Sequence, residues 1–142
     1  MGRVSDLDRF VRAQDGVYER ALAEIVAGDK QSHWMWFVFP QIAGLGSSPT
    51  AVRFAVRDLA EARAYLAHPV LGPRLVECCT ALLAHRDRSA GQILGYPDDL
   101  KLRSSMTLFA RAADDPAVFD RVIEQFYEGP DERTLHLLDR PG

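Results

Sequence analysis

The chain has 142 residues, of which 47% are apolar and 26% charged, with a formal net charge of −3 at pH 7. That length suits one domain with its own core, and the composition is that of a soluble globular protein and argues against disorder. The mild negative charge leaves no electrostatic footprint for nucleic acid or an anionic membrane, and no apolar run is long enough to cross a bilayer.

Ser5 is placed to cap a first helix over residues 5–27, in which Leu7, Phe10, Val11, Val17, Tyr18, Ala21, Leu22 and Ile25 recur at helical spacing. Gln14 interrupts that apolar face, and Gly28 supplies the stop. The run Trp34–Phe39 reads equally as a buried strand or a buried helical turn, and Pro40 ends it. Ser48-Pro49 has the cap-then-proline order of a helix start, carried on by Val52, Phe54, Ala55, Val56 and Leu59. Asp58-x-x-Glu61 has the form of a capping box for a short helix through Leu66. His68-Pro69 opens a longer helix with Leu71, Leu75, Cys78, Cys79 and Leu82 facing inward, and Ser89 caps a brief turn to Leu94.

Pro97-Asp98-Asp99 opens a helix through about Ala112, its acidic residues placed where the helix dipole favours them. Asp115-Pro116 opens another, closed by Gly129, and Glu132 to Leu138 forms the last. There is no hairpin signal, linker, repeat or low-complexity tract. These patterns imply an all-α protein, a single compact domain over residues 1–142 of about seven short-to-medium helices.

Neither cysteine has a zinc or C-x-x-C spacing, and the four histidines form no metal-binding pattern, so no metal or cofactor is expected. With the polar start MGRVSDLDRF, adjacent Cys78 and Cys79 read as small buried hydrophobes of a cytoplasmic protein.

Functional candidates cluster around the aromatic run. Of 17 basic residues only Lys30 and Lys101 are lysine. A lysine acts as a compact charge on phosphate, or loses its proton when desolvated, in ways arginine does not. His33, flanked by Lys30 and aromatic residues, is the candidate proton acceptor. Gly44, Gly46, Ser47 and Ser48 lead into a helix start, a natural anion site and equally a plain loop ending in a cap. Gln14, Gln41, Ser104 and Thr107 place amides and hydroxyls on otherwise apolar faces. Trp34 and Trp36 are either core or a stacking platform for a ring.

Several blocks together carry a resemblance: Asp6-Leu7-x-Arg9-Phe10, Lys30-x-x-His33-Trp34-Met35-Trp36-Phe37-x-Phe39-Pro40-Gln41, Gly44-Leu45-Gly46-x-Ser48, and Asp98-Asp99-x-Lys101-Leu102-x-Ser104-Ser105-Met106-Thr107. In these the chain closely resembles the bacterial domain-of-unknown-function family numbered 1810, over nearly its whole length. The resemblance implies a small all-α cytoplasmic domain and brings no established activity. It marks Gln14, Lys30, His33, Gln41, Lys101, Ser104 and Thr107 as the polar groups of interest. Members of that family are often labelled calpastatin, a flexible, repeat-bearing polar inhibitor; the caps, stripes and aromatic run here do not fit such a chain.

Two functions are compatible with these residues. One is a pocket that binds or acts on a phosphorylated or nucleotide-like small molecule, with Lys30, Lys101 and His33 in the catalytic roles. The other is a non-catalytic protein-interaction module with Trp34, Trp36 and Phe37 as its hot spot. The position of Lys101 relative to Lys30 separates them.

Overall fold

The structure is a computed structural model and describes residues 6–139. It holds ten helices among the described residues: α1 (Asp8–Gln14), α2 (Tyr18–Ala27), α3 (Met35–Val38), α4 (Pro49–Arg53), α5 (Leu59–Ala67), α6 (Leu71–Leu83), α7 (Ala90–Leu94), α8 (Asp98–Ala112), α9 (Ala117–Phe126) and α10 (Glu132–Asp139). The only extended pairing among them is one isolated parallel bridge, Ile42 to Val56. None of these helices is long and apolar enough to cross a membrane.

Helix α8 is the axis of the molecule. It packs against α5, α7, α9 and α10, and from Ser104 to Phe109 every residue is buried. A helix segment enclosed all round must bury its polar residues as well, and α8 turns two of its three buried hydroxyls onto its own backbone, while Ser105 Oγ has no partner among the described residues. Ser104 Oγ donates to Leu100 O at 3.3 Å and Thr107 Oγ1 to Arg103 O at 2.8 Å. Around this axis α6 packs on α2, α5 and α9, and the aromatic core runs Phe10–Tyr65–Phe109–Phe119 with ring centroids 5.2 to 6.0 Å apart.

Most local signals act as expected. Ser48 caps α4, Asp58 caps α5 through Glu61 N at 2.9 Å, and Ser89 with Gln92 forms a complete capping box on α7. His68 Nδ1 accepts from Val70 N at 3.1 Å, so its imidazole serves as a cap for the start of α6. Both cysteines are buried and unbridged, and burial pushes the Cys78 thiol up to about 12.

Three expectations need correction. The count of helices is ten rather than about seven among the described residues, in part because the first helix divides in two and the run after His33 forms a helical turn of its own. The expected helix over 5–27 is two: Gly16, at φ 71°, turns the chain between α1 and α2 in a conformation open to glycine without strain. The Ser5 cap lies outside the described residues. The helix begun at Ser48-Pro49 stops at Arg53 instead of running to Leu59. There the Arg9 guanidinium takes Arg53 O at 2.9 Å and Ala55 O at 2.8 Å, and Val56 pairs with Gln41 and Ala43. A side chain from α1 thus competes successfully with helix propagation.

The ambiguous run after His33 is the single helical turn α3, with Trp34, Met35, Val38 and Phe39 fully buried and Trp36 and Phe37 half-buried.

Candidate functional site

The segment that carries the site is built from Glu24. This carboxylate, half-buried on α2, accepts four hydrogen bonds from the chain beyond Gly28. Oε1 takes Gln31 N at 2.8 Å, Ser32 N at 2.9 Å and the Trp34 indole Nε1 at 2.9 Å; Oε2 takes Ser32 Oγ at 2.6 Å. Burial alone raises the Glu24 pKa, but the bonds from Ser32, Trp34 and the backbone outweigh it and hold the carboxyl at about 2. Lys30 N donates to Ile93 O at 2.8 Å and ties the same segment to α7. Residues 30–34 are therefore fixed from two sides before α3 begins.

On that segment Lys30 points at the start of α8. Its Nζ lies 2.9 Å from Asp98 Oδ2 and 5.2 Å from the centroid of the Trp34 ring. Lys101, one turn into α8, places its Nζ 3.5 Å from Asp98 Oδ1 and 5.0 Å from the Trp36 ring. Both lysines of the chain and both tryptophans thus meet around one aspartate.

The electrostatics of this cluster are unbalanced. Side-chain exposure is 9% for Lys30, 17% for Asp98 and 26% for Lys101, so all three groups are largely withdrawn from water. Asp98 is the only ion-pair partner of either lysine among the described residues. Two cations facing one carboxylate leave one positive charge without a protein counter-charge, partly desolvated and backed by two aromatic faces.

Trp36 joins this cluster to the glycine loop. It lines a small cleft with Gln41, Gly46 and Ala51 whose volume of about 20 Å³ has room for a water and not for a ring. Gly46 is required by the approach of α4, since a Cβ there would lie 2.6 Å from Ala51 Cβ. Gly44 has φ 103° and faces Leu137 of α10. Ser47 is exposed; Ser48 Oγ accepts from Ala51 N at 3.1 Å, so its hydroxyl is engaged as a cap.

Other candidates lie apart from the lysine pair. Gln14 is 2% exposed and fully engaged: its Nε2 donates to Phe37 O at 2.8 Å and Tyr65 Oη at 3.3 Å, and its Oε1 accepts from Arg74 at 3.2 Å. Ser104 is occupied by its own helix. Thr107 also accepts from Asp131 N at 2.8 Å and lines a different cavity, between α8, α9 and α10. His33 is exposed, and its imidazole has no hydrogen-bond or ion-pair partner among the described residues to orient it.

Two residues of the site carry roles that sequence reasoning did not assign. In the sequence Asp98 reads as a helix-start carboxylate, although its spacing of three from Lys101 is a pairing signal. Glu24 gives no such signal, because its partners come from a loop whose path is irregular. The described residues contain no group of three or more His, Cys, Asp or Glu side chains placed to hold a metal ion.

The comparisons with known proteins agree with this fold. A crystal structure at 1.38 Å of the conserved hypothetical protein Rv1873 from Mycobacterium tuberculosis is similar to this chain at 53% identity and a TM-score of 0.94. It covers 96% of this chain and 98% of that one. No curated protein matches the chain. The sequence pattern of a protein family of unknown function, DUF1810, matches residues 4–138, and the chain belongs to that family.

Proposed function

We propose that the edge formed by Lys30, Asp98, Lys101 and Trp36 binds a phosphorylated or nucleotide-like small molecule. The observation that carries this reading is the charge imbalance: two ammonium groups share one carboxylate in a partly desolvated place, and an anionic ligand completes the pairing. In this reading both lysines hold phosphate oxygens, and Trp36, with Lys101 over its ring, forms the wall of the site. Gln41 and the glycine loop border the ligand beyond Trp36. His33, exposed beside the same segment, is the group available to accept a proton. Gln14, Ser104 and Thr107 are engaged elsewhere and belong to the scaffold rather than to the ligand contacts.

The alternative, a protein-docking surface centred on the aromatic run, gains nothing from the packing. Trp34 is 0% exposed, and Trp36 and Phe37 are half-buried, so the run is mostly core in the free chain.

Thermal-shift screening against nucleotides, NAD and sugar phosphates tests the proposal. A stabilising hit abolished by both Lys30→Ala and Lys101→Ala supports it. An absence of hits across the panel, or a hit indifferent to both substitutions, counts against it.

A further inference from the structure

A second cavity, remote in chemistry from the lysine pair, opens between α8, α9 and α10 with a volume of about 330 Å³. Its floor is apolar: Ala110, Ile123 and Leu135 line it. The one hydroxyl at the floor, Thr107 Oγ1, already donates to Arg103 O and accepts from Asp131 N, each at 2.8 Å. The floor therefore offers an incoming molecule no unmet hydrogen bond, and what enters it must be apolar.

The rim has the opposite character. Asp120 and Glu124 stand one turn apart on α9, and Glu128 follows just past the end of that helix. All three are exposed, and none has an ion-pair or hydrogen-bond partner among the described residues. Asp120 complements the dipole at the start of α9, but Glu124 and Glu128 lie beyond that first turn, and like charges at this spacing weaken a helix slightly. The rim's one cation, Arg111, already pairs with Asp139 Oδ1 at 3.2 Å.

We infer that this cavity binds a small amphipathic cation, an aryl- or alkylammonium whose apolar body fills the floor and whose charged head meets the Asp120–Glu124–Glu128 rim. The volume sits at the small end of ligand pockets and holds a single ring with a short chain, not a helix. Charge complementarity selects a cation over a neutral or anionic molecule of the same shape.

The test is an amide chemical-shift titration of isotopically labelled protein with 2-phenylethylamine, with 2-phenylethanol and 3-phenylpropionate as its neutral and anionic counterparts. The amine is expected to shift the amides of Thr107, Ala110, Ile123 and Leu135, the alcohol to bind about tenfold more weakly, and the carboxylate not at all. The double substitution Asp120→Asn with Glu124→Gln, both at exposed positions, should bring the amine down to the level of the alcohol. Equal binding by all three probes overturns the inference. So does a shift pattern confined to other helices, no shift up to about 10 mM, or an amine preference that survives the double substitution.

Discussion

Two polar clusters touch the short aromatic helix α3, and they are satisfied to different degrees. On one side Gln14 bonds Phe37 O, Tyr65 and Arg74, while Glu61, with its side chain 1% exposed, takes Arg9 at 3.1 Å, Arg57 N at 3.1 Å and the Arg57 guanidinium at 3.5 Å. Two cations share one carboxylate there as well, but the Arg9 guanidinium also donates to the carbonyls of Asp6, Arg53 and Ala55. On the other side Lys30 and Lys101 share Asp98 against Trp34 and Trp36, with more exposure and no second acceptor for either ammonium among the described residues. A buried network whose donors are met on several sides fixes a fold, whereas ammonium groups with one acceptor between them near the surface keep donors for an external anion.

The contrast is broken most decisively at Glu61. Glu61→Ala leaves the Arg9 guanidinium facing the core uncompensated and is expected to cost about 3–5 kcal/mol in urea unfolding. Asp98→Ala, at a more exposed pair, should cost well under half of that. Equal losses for the two would place the lysine cluster among the structural networks.

Next in size is Gln14→Ala, which leaves Phe37 O only the long 3.5 Å bond from Tyr65 Oη and removes the Arg74 acceptor; a loss of roughly 2–3 kcal/mol with unchanged helical content is expected. A loss below about 0.5 kcal/mol would show that water replaces the amide and that the network is looser than its distances suggest.

Glu24 sharpens the comparison through pH. Its pKa falls from 4.5 to about 2 on folding, so its contribution is complete above about 4.5 and is lost as pH drops toward 2. Unfolding of the parent chain and of Glu24→Gln followed over that window should converge as acid is added. A gap between them that is constant down to pH 2 would mean the carboxylate charge is not what holds residues 30–34.

The smallest stability effect is expected at Lys101→Ala. At 26% side-chain exposure its pair with Asp98 is worth no more than about 1 kcal/mol. Its readout is the loss of any phosphate-dependent thermal shift with little change in the unliganded melting point.

How much of this was visible beforehand follows the range of each interaction. Ser48, Asp58 and Ser89 cap the helices their neighbours announce, because a cap acts within three residues. The break at Gly16 and the early stop at Arg53 were hidden because the apolar stripe continues through both; the first rests on the positive φ of Gly16, the second on Arg9 reaching Arg53 O and Ala55 O. Among the site candidates, the rarity of lysine picked out two residues that do meet. Polar groups on apolar faces were a poorer guide, since Gln14, Ser104 and Thr107 bond the scaffold. Such residues look alike in sequence whether their partner is a ligand or a backbone carbonyl.

The amino-acid order by itself determined an all-α domain with most of its helix starts, since caps, prolines and the helical period act over a few residues. It also singled out Lys30, Lys101 and the tryptophans as unusual. Only the tertiary structure decided that Asp98 sits between the two lysines and that Glu24 holds the approaching segment. Those contacts depend on how α2, α3 and α8 pack, and no local spacing encodes that.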